Sequence, residues 1–148
     1  MDQDEISRPI AILLVEDNLG DVRWTADAFR EEKLQNKLTV VGDGEEALSY
    51  LRRQGKYAAV SKPDLILLDL NLPKKNGREV LAEIKSDSDL NRIPVVILTT
   101  SQSEEDILRT YNLRAQGYVT KPLSVNRLLE IIRTIEGFGL AIVKRARP

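Results

Sequence analysis

The feature that leaves this chain fewest possible folds is a repeated alternation of short, wholly apolar runs with longer amphipathic stretches. Residues 10–15 (IAILLV), 38–41, 65–68, 93–98 and 118–119 are the apolar runs. A strand apolar at consecutive positions needs cover on both faces, which is the habit of a parallel sheet clothed by helices. The stretches between them carry helical spacing. Val22, Ala26 and Phe29 fall at i, i+4 and i+7, and Ala47, Leu48 and Leu51 form a second stripe between Gly44 and Gly55. A third starts near Arg78 with Val80, Leu81 and Ile84 apolar. A fourth is predicted from Ser103, as N-cap with Asp106 three residues on, burying Ile107, Leu108 and Tyr111. The fifth opens at Ser124 and carries Val125, Leu128, Leu129, Ile132 and Ile135.

Five βα units in succession predict an α/β fold, a doubly wound parallel five-stranded sheet of flavodoxin-like order 2-1-3-4-5. In such sheets ligands bind beyond the strand C-termini, where the winding direction reverses. The expected organisation is a flexible acidic N-terminus over 1–9, one domain over 10–136, and an extension over 137–148 too short for an output domain.

Composition removes several chemistries. There is no cysteine and no histidine among the 148 residues, so thiol nucleophiles, zinc thiolates, His-based triads and an autophosphorylating histidine are all excluded. A net charge of −1 gives no electrostatic reason to expect nucleic acid or membrane binding. The polar start and the lack of any apolar run near the roughly 20 residues of a membrane helix point to a cytoplasmic protein.

What remains is carboxylate, hydroxyl and lysine chemistry, and it collects at the strand ends. Run one ends in Glu16-Asp17, run three in Asp69, run four in Thr99-Thr100, and run five in Thr120-Lys121. A parallel sheet brings all of these to one edge. Three carboxylates so placed repel one another unless a cation neutralises them, and oxygen-only ligands suit Mg²⁺. Each residue alone has an ordinary explanation: an N-cap for the Glu-Asp pair, a strand end for Asp69, a buried backbone-bonded hydroxyl for Thr99, a turn residue for Lys121. Their coincidence at four strand ends does not.

The segments 13–18 (LLVEDN), 63–77 (PDLILLDLNLPKKNG), 93–101 (IPVVILTTS) and 117–122 (GYVTKP) together resemble the response-regulator receiver family from about residue 10 to 135. The resemblance implies that Asp69 accepts a phosphoryl group from a phosphohistidine on a sensor kinase. It implies Mg²⁺ held by Asp17, Asp69, the backbone carbonyl of Asn71 and, through water, Glu16. Thr99 and Lys121 would hold phosphoryl oxygens, and Tyr118 would turn inward as Thr99 moves. Thr100 departs from the small alanine frequent beside the switch hydroxyl, which bears on the lifetime of the acyl phosphate.

The long segments RRQGKYAAVSKPD and SDSDLNRIP and the C-terminal extension resemble stand-alone regulators paired with bacterial and cyanobacterial phytochromes. The last helix carries an apolar arc of roughly 160°, wider than a usual core stripe. With Phe138, Leu140, Ile142 and Val143 beyond it, that arc suggests a homodimer, the alternative being a tail folded back on its own domain. Trp24 lies opposite the Val22/Phe29 face and is expected to be exposed, as a docking anchor for the kinase or merely as a surface residue. Three rivals remain. A haloacid-dehalogenase-type phosphatase needs an acid two residues after its nucleophile, where this chain has Asn71. A flavodoxin needs a phosphate-binding loop where EDNLGD would repel phosphate. A pseudo-receiver scaffold would dispense with the intact acid set.

Overall fold

The structure, a computed structural model, describes residues 9–135. Positions 1–8 of the expected acidic N-terminus lie outside the described residues, as does everything from 136 onward, with Phe138, Leu140, Ile142 and Val143. Five strands, β1 (Ile10–Val15), β2 (Asn36–Val41), β3 (Leu65–Asp69), β4 (Val95–Thr99) and β5 (Gly117–Thr120), pair in parallel in the order 2-1-3-4-5. They alternate with α1 (Leu19–Glu31), α2 (Gly44–Leu51), α3 (Gly77–Ser86), α4 (Gln102–Arg109) and α5 (Val125–Ile132). This is the predicted flavodoxin-like arrangement.

The continuous apolar runs are explained by two cores, one on each face of the sheet. Alternate residues of β1, β3 and β4 (Leu13, Val15, Ile66, Leu68, Val95, Ile97) pack with Leu51, Val80, Leu81, Ile84 and Leu108 of α2, α3 and α4. The intervening residues (Ile12, Leu14, Leu65, Leu67, Val96, Leu98) pack with Phe29 of α1 and Leu128, Leu129 and Ile132 of α5. The edge strand β2 departs furthest from double burial: most of its side chains are partly open, and Val40 is exposed.

Two expectations about helices are corrected. The N-cap of α4 is Ser101, whose side chain accepts from the Glu104 N–H, not Ser103. Of its expected core residues only Leu108 is buried. Ile107 and Tyr111 face solvent, and the inward position one turn before Leu108 is taken by the carboxylate of Glu105. Most of the wide apolar arc of α5 is packed within the chain itself. Val125, Leu128, Leu129, Ile131 and Ile132 are all buried within the chain's own core, while Ile135, the last residue of the arc, is partly open.

Two glycines fix the loops around the sheet edge. A Cβ on Gly77 would lie 2.4 Å from the Leu70 Cα and 2.6 Å from the Asp69 carbonyl oxygen. A Cβ on Gly44 would lie 2.0 Å from the Lys75 carbonyl oxygen. Both close approaches need a residue without a side chain. The Asn76 capping box then starts α3 directly behind the end of β3.

Candidate functional site

At the C-terminal ends of β1 and β3 the side chains of Glu16, Asp17 and Asp69 converge, with one carboxylate oxygen from each lying within 4.8 Å of the others. Glu16 and Asp69 are buried and Asp17 is exposed. The Asn71 N–H donates to Asp69 Oδ1 at 2.9 Å, and the Asn18 N–H donates to Glu16 Oε2 at 3.1 Å. Lys121 enters from the end of β5, where its own N–H continues the ladder to the Thr99 carbonyl at 2.7 Å. Its Nζ lies 2.7 Å from Asp69 Oδ2, 2.8 Å from Glu16 Oε1 and 3.0 Å from Asp21 Oδ2.

One ammonium is therefore divided among three carboxylates, with Asp17 as a fourth acid beside them. Burial pushes the Glu16 carboxyl up to about 7; Lys121 opposes that rise and Asp69 adds to it. Burial also works against the Lys121 ammonium, but Asp69, Glu16 and Asp21 outweigh it and hold lysine above its ordinary range. Glu16 Oε1 meets Lys121 as an ion pair, and among the described residues that buried oxygen has no hydrogen-bond partner. Such an excess of oxygen donors, with one buried oxygen lacking a hydrogen bond and one carboxylate exposed, fits a hard divalent cation of the Mg²⁺ type.

Thr99 is fully buried, and its hydroxyl lies 3.3 Å from Thr120 Oγ1, 3.4 Å from the Ser101 carbonyl and 3.5 Å from the Val119 carbonyl. Neither the Asp69 carboxylate nor the Lys121 ammonium is a partner of that hydroxyl. Tyr118 is already buried, its hydroxyl 3.4 Å from the Leu108 carbonyl and its ring beneath the Arg109 guanidinium. Thr100 is exposed, with its N–H and hydroxyl both on Glu104 Oε1. Trp24 is 52% exposed as expected, yet its indole N–H donates to the Leu123 carbonyl, so its position is fixed beside α5.

The structure thus brings Glu16, Asp17, Asp69 and Lys121 together, with the Asn71 N–H on Asp69 and the Thr99 carbonyl on the Lys121 N–H, whereas Thr100 and Tyr118 contact residues of α4. Two residues escaped the sequence reading. Asp21 sits in the first turn of α1, one helical turn past Asp17, and that spacing was the available signal. Glu105 gave none, because a charged residue in a polar helix reads as solvated.

Comparison with known proteins follows the same lines. The family described as "Response regulator receiver domain" matches residues 12–133. Response regulator Rcp1 of Synechocystis sp. is 46% identical over 140 residues, 95% of each chain. The phosphorylated cyanobacterial phytochrome response regulator RcpA is 51% identical, with a TM-score of 0.71 over 90% of this chain and 95% of that one. The Mn²⁺-bound form of Rcp1 has a TM-score of 0.70 over 89% and 95% of the two chains. No helix among the described residues is long and apolar enough to cross a membrane. By fold, by matched length and by likeness to these relatives, the chain belongs to the response regulator receiver family, whose members are signalling proteins rather than enzymes.

Proposed function

We propose that this chain is a response regulator whose Asp69 accepts a phosphoryl group from the phosphohistidine of a phytochrome-type sensor kinase. The observation that carries the reading is the buried Asp69 carboxylate, paired with Lys121 and flanked by Glu16 and Asp17. In the transfer, an Asp69 oxygen bonds to phosphorus as the P–N bond to the donor imidazole breaks, and the released electron pair stays on that nitrogen, which takes up a proton. Lys121 balances charge on the moving phosphoryl oxygens, and the Asn71 N–H holds the Asp69 carboxylate in place. Asp17, Asp69 and the Asn71 carbonyl, with Glu16 through water, would hold Mg²⁺. That ion supplies the positive charge three acids otherwise lack. Thr99 then turns to the phosphoryl group and Tyr118 keeps its inward place, altering the surface of α4, β5 and α5.

The phytochrome partner rests on the relatives named above, one of them a cyanobacterial phytochrome response regulator. Trp24, anchored on the Leu123 carbonyl, is the docking residue we assign on α1. A homodimer through the end of the last helix and the extension is part of this reading, most of the α5 arc being packed internally; sedimentation of a chain cut after Glu136 tests this, and an unchanged oligomeric state removes the extension from it. The central test is incubation with a phosphorylated histidine kinase. Mg²⁺-dependent, acid-stable and base-labile label is expected on the wild type and none on Asp69→Asn. Undiminished labelling of Asp69→Asn overturns the reading.

A further inference from the structure

The parallel register of β4 and β5 pairs Thr99 with Thr120, which sets their two hydroxyls side by side at the sheet edge, 3.3 Å apart. Because α4 is capped at Ser101, Glu105 falls one turn in and lies buried against the same edge. The Thr120 hydroxyl donates to Glu105 Oε1 at 3.0 Å. The other oxygen, Oε2, accepts from Arg109 Nε at 3.0 Å and Nη2 at 2.7 Å. The Arg109 guanidinium in turn lies 5.0 Å from the centre of the Tyr118 ring.

A hydroxyl has one proton, and a carboxylate can only accept. The Thr120 proton is committed to Glu105, so toward Thr99 the Thr120 oxygen can only be an acceptor. Thr120 is thereby left open to accept the Thr99 proton, and it is the nearest acceptor of the Thr99 hydroxyl. Its three possible acceptors all stand at 3.3 Å or beyond, so this is the weakest link in the chain and the one that opens when Thr99 turns.

We propose that Glu105 is a positioning residue for the switch hydroxyl: through Thr120 it holds the Thr99 proton away from Asp69, and through Arg109 it ties that setting to Tyr118 and α4. This deepens the phosphoryl-acceptor reading and rests on it. Donation from Thr99 to a phosphoryl oxygen on Asp69 breaks the Thr99–Thr120 bond, so the strength of the Glu105 chain sets part of the opposition to the activated state.

The test is calorimetric binding of beryllofluoride, a phosphoryl mimic, to the full chain in saturating Mg²⁺. Thr120→Val and Glu105→Met each remove the chain while keeping side-chain volume close to the original. Each is expected to bind the mimic about fivefold more tightly, the weight of one ordinary hydrogen bond, and the double variant no more tightly than either. Thr120→Ser, which keeps the hydroxyl, should match the wild type. In a Thr99→Val background the gain should vanish, as a double-mutant cycle requires of groups acting through one another. Unchanged affinity in Thr120→Val overturns the inference, and so does a gain that survives Thr99→Val. A wild type that takes up no beryllofluoride overturns the phosphoryl reading and this inference with it; uptake without the coupling overturns this inference alone.

Discussion

At the ends of β1 and β3 three carboxylates share one ammonium with a fourth beside them, whereas at the ends of β4 and β5 both oxygens of the buried Glu105 carboxylate are hydrogen-bonded. In the first cluster Lys121 is shared by Glu16, Asp21 and Asp69, Asp17 stands beside them, and a buried oxygen of Glu16 has no hydrogen bond among the described residues. In the second, Thr120 occupies one oxygen of Glu105 and Arg109 the other. The difference separates two kinds of buried charge. An undercompensated cluster stores affinity for a cation and then for a phosphoryl group; a saturated one holds a conformation in place.

Substituting Lys121 should have the largest effect. Lys121→Met leaves Glu16 and Asp69 buried without their counter-charge, and a loss on the order of 3 kcal/mol is expected in metal-free denaturant unfolding. Mg²⁺ should restore a large part of it. Arg109→Met removes a half-exposed cation from the other cluster; its loss should stay near or below about 1 kcal/mol and should be indifferent to Mg²⁺. Equal losses with equal Mg²⁺ responses would erase the distinction between the clusters.

A smaller effect is expected from pH. The folded-state pKa of Glu16, about 7, lies above the ordinary glutamate value of 4.5, so the folded chain binds more protons than the unfolded one between those limits. Stability from this group is therefore greatest below about pH 4.5 and falls as pH rises toward 7. In metal-free thermal melts from about pH 5 to 7.5, Glu16→Gln should gain on the wild type as pH increases, and Mg²⁺ should close the gap at the upper end. A difference that does not vary with pH would mean that Glu16 is already compensated. The smallest effect belongs to Asp21→Asn. That side chain is 41% exposed, so screening should confine the change to a few tenths of a kcal/mol. A loss above about 1 kcal/mol would make Asp21 an essential part of the cluster.

The sheet and the first cluster were legible because both follow from simple rules. Consecutive apolar residues announce strands covered on both sides, and parallel order carries their polar ends to one edge. The second cluster was not legible, because periodicity assumes that apolar side chains face inward. In and just after α4 the reverse holds at three positions: Ile107 and Tyr111 face outward while Glu105 is buried, its cost met by Thr120 and Arg109 from outside the apolar pattern. Nor does periodicity say how much of an apolar arc a fold consumes. The arc of α5 is wide because most of its residues pack against β-strand side chains and Phe29 within one core, with Ile135 at its end partly open.

The central claim is that phosphorus becomes bonded to the carboxylate of Asp69, and borohydride reduction tests it most directly. Reduction converts an aspartyl phosphate to homoserine and leaves an unmodified carboxylate untouched. After Mg²⁺-dependent transfer from a phosphorylated histidine kinase, peptide mass spectrometry should find homoserine at position 69, with Asp17, Asp21 and Glu16 unchanged. Homoserine at another position, or none in a chain that carries the phosphoryl group, would contradict the account.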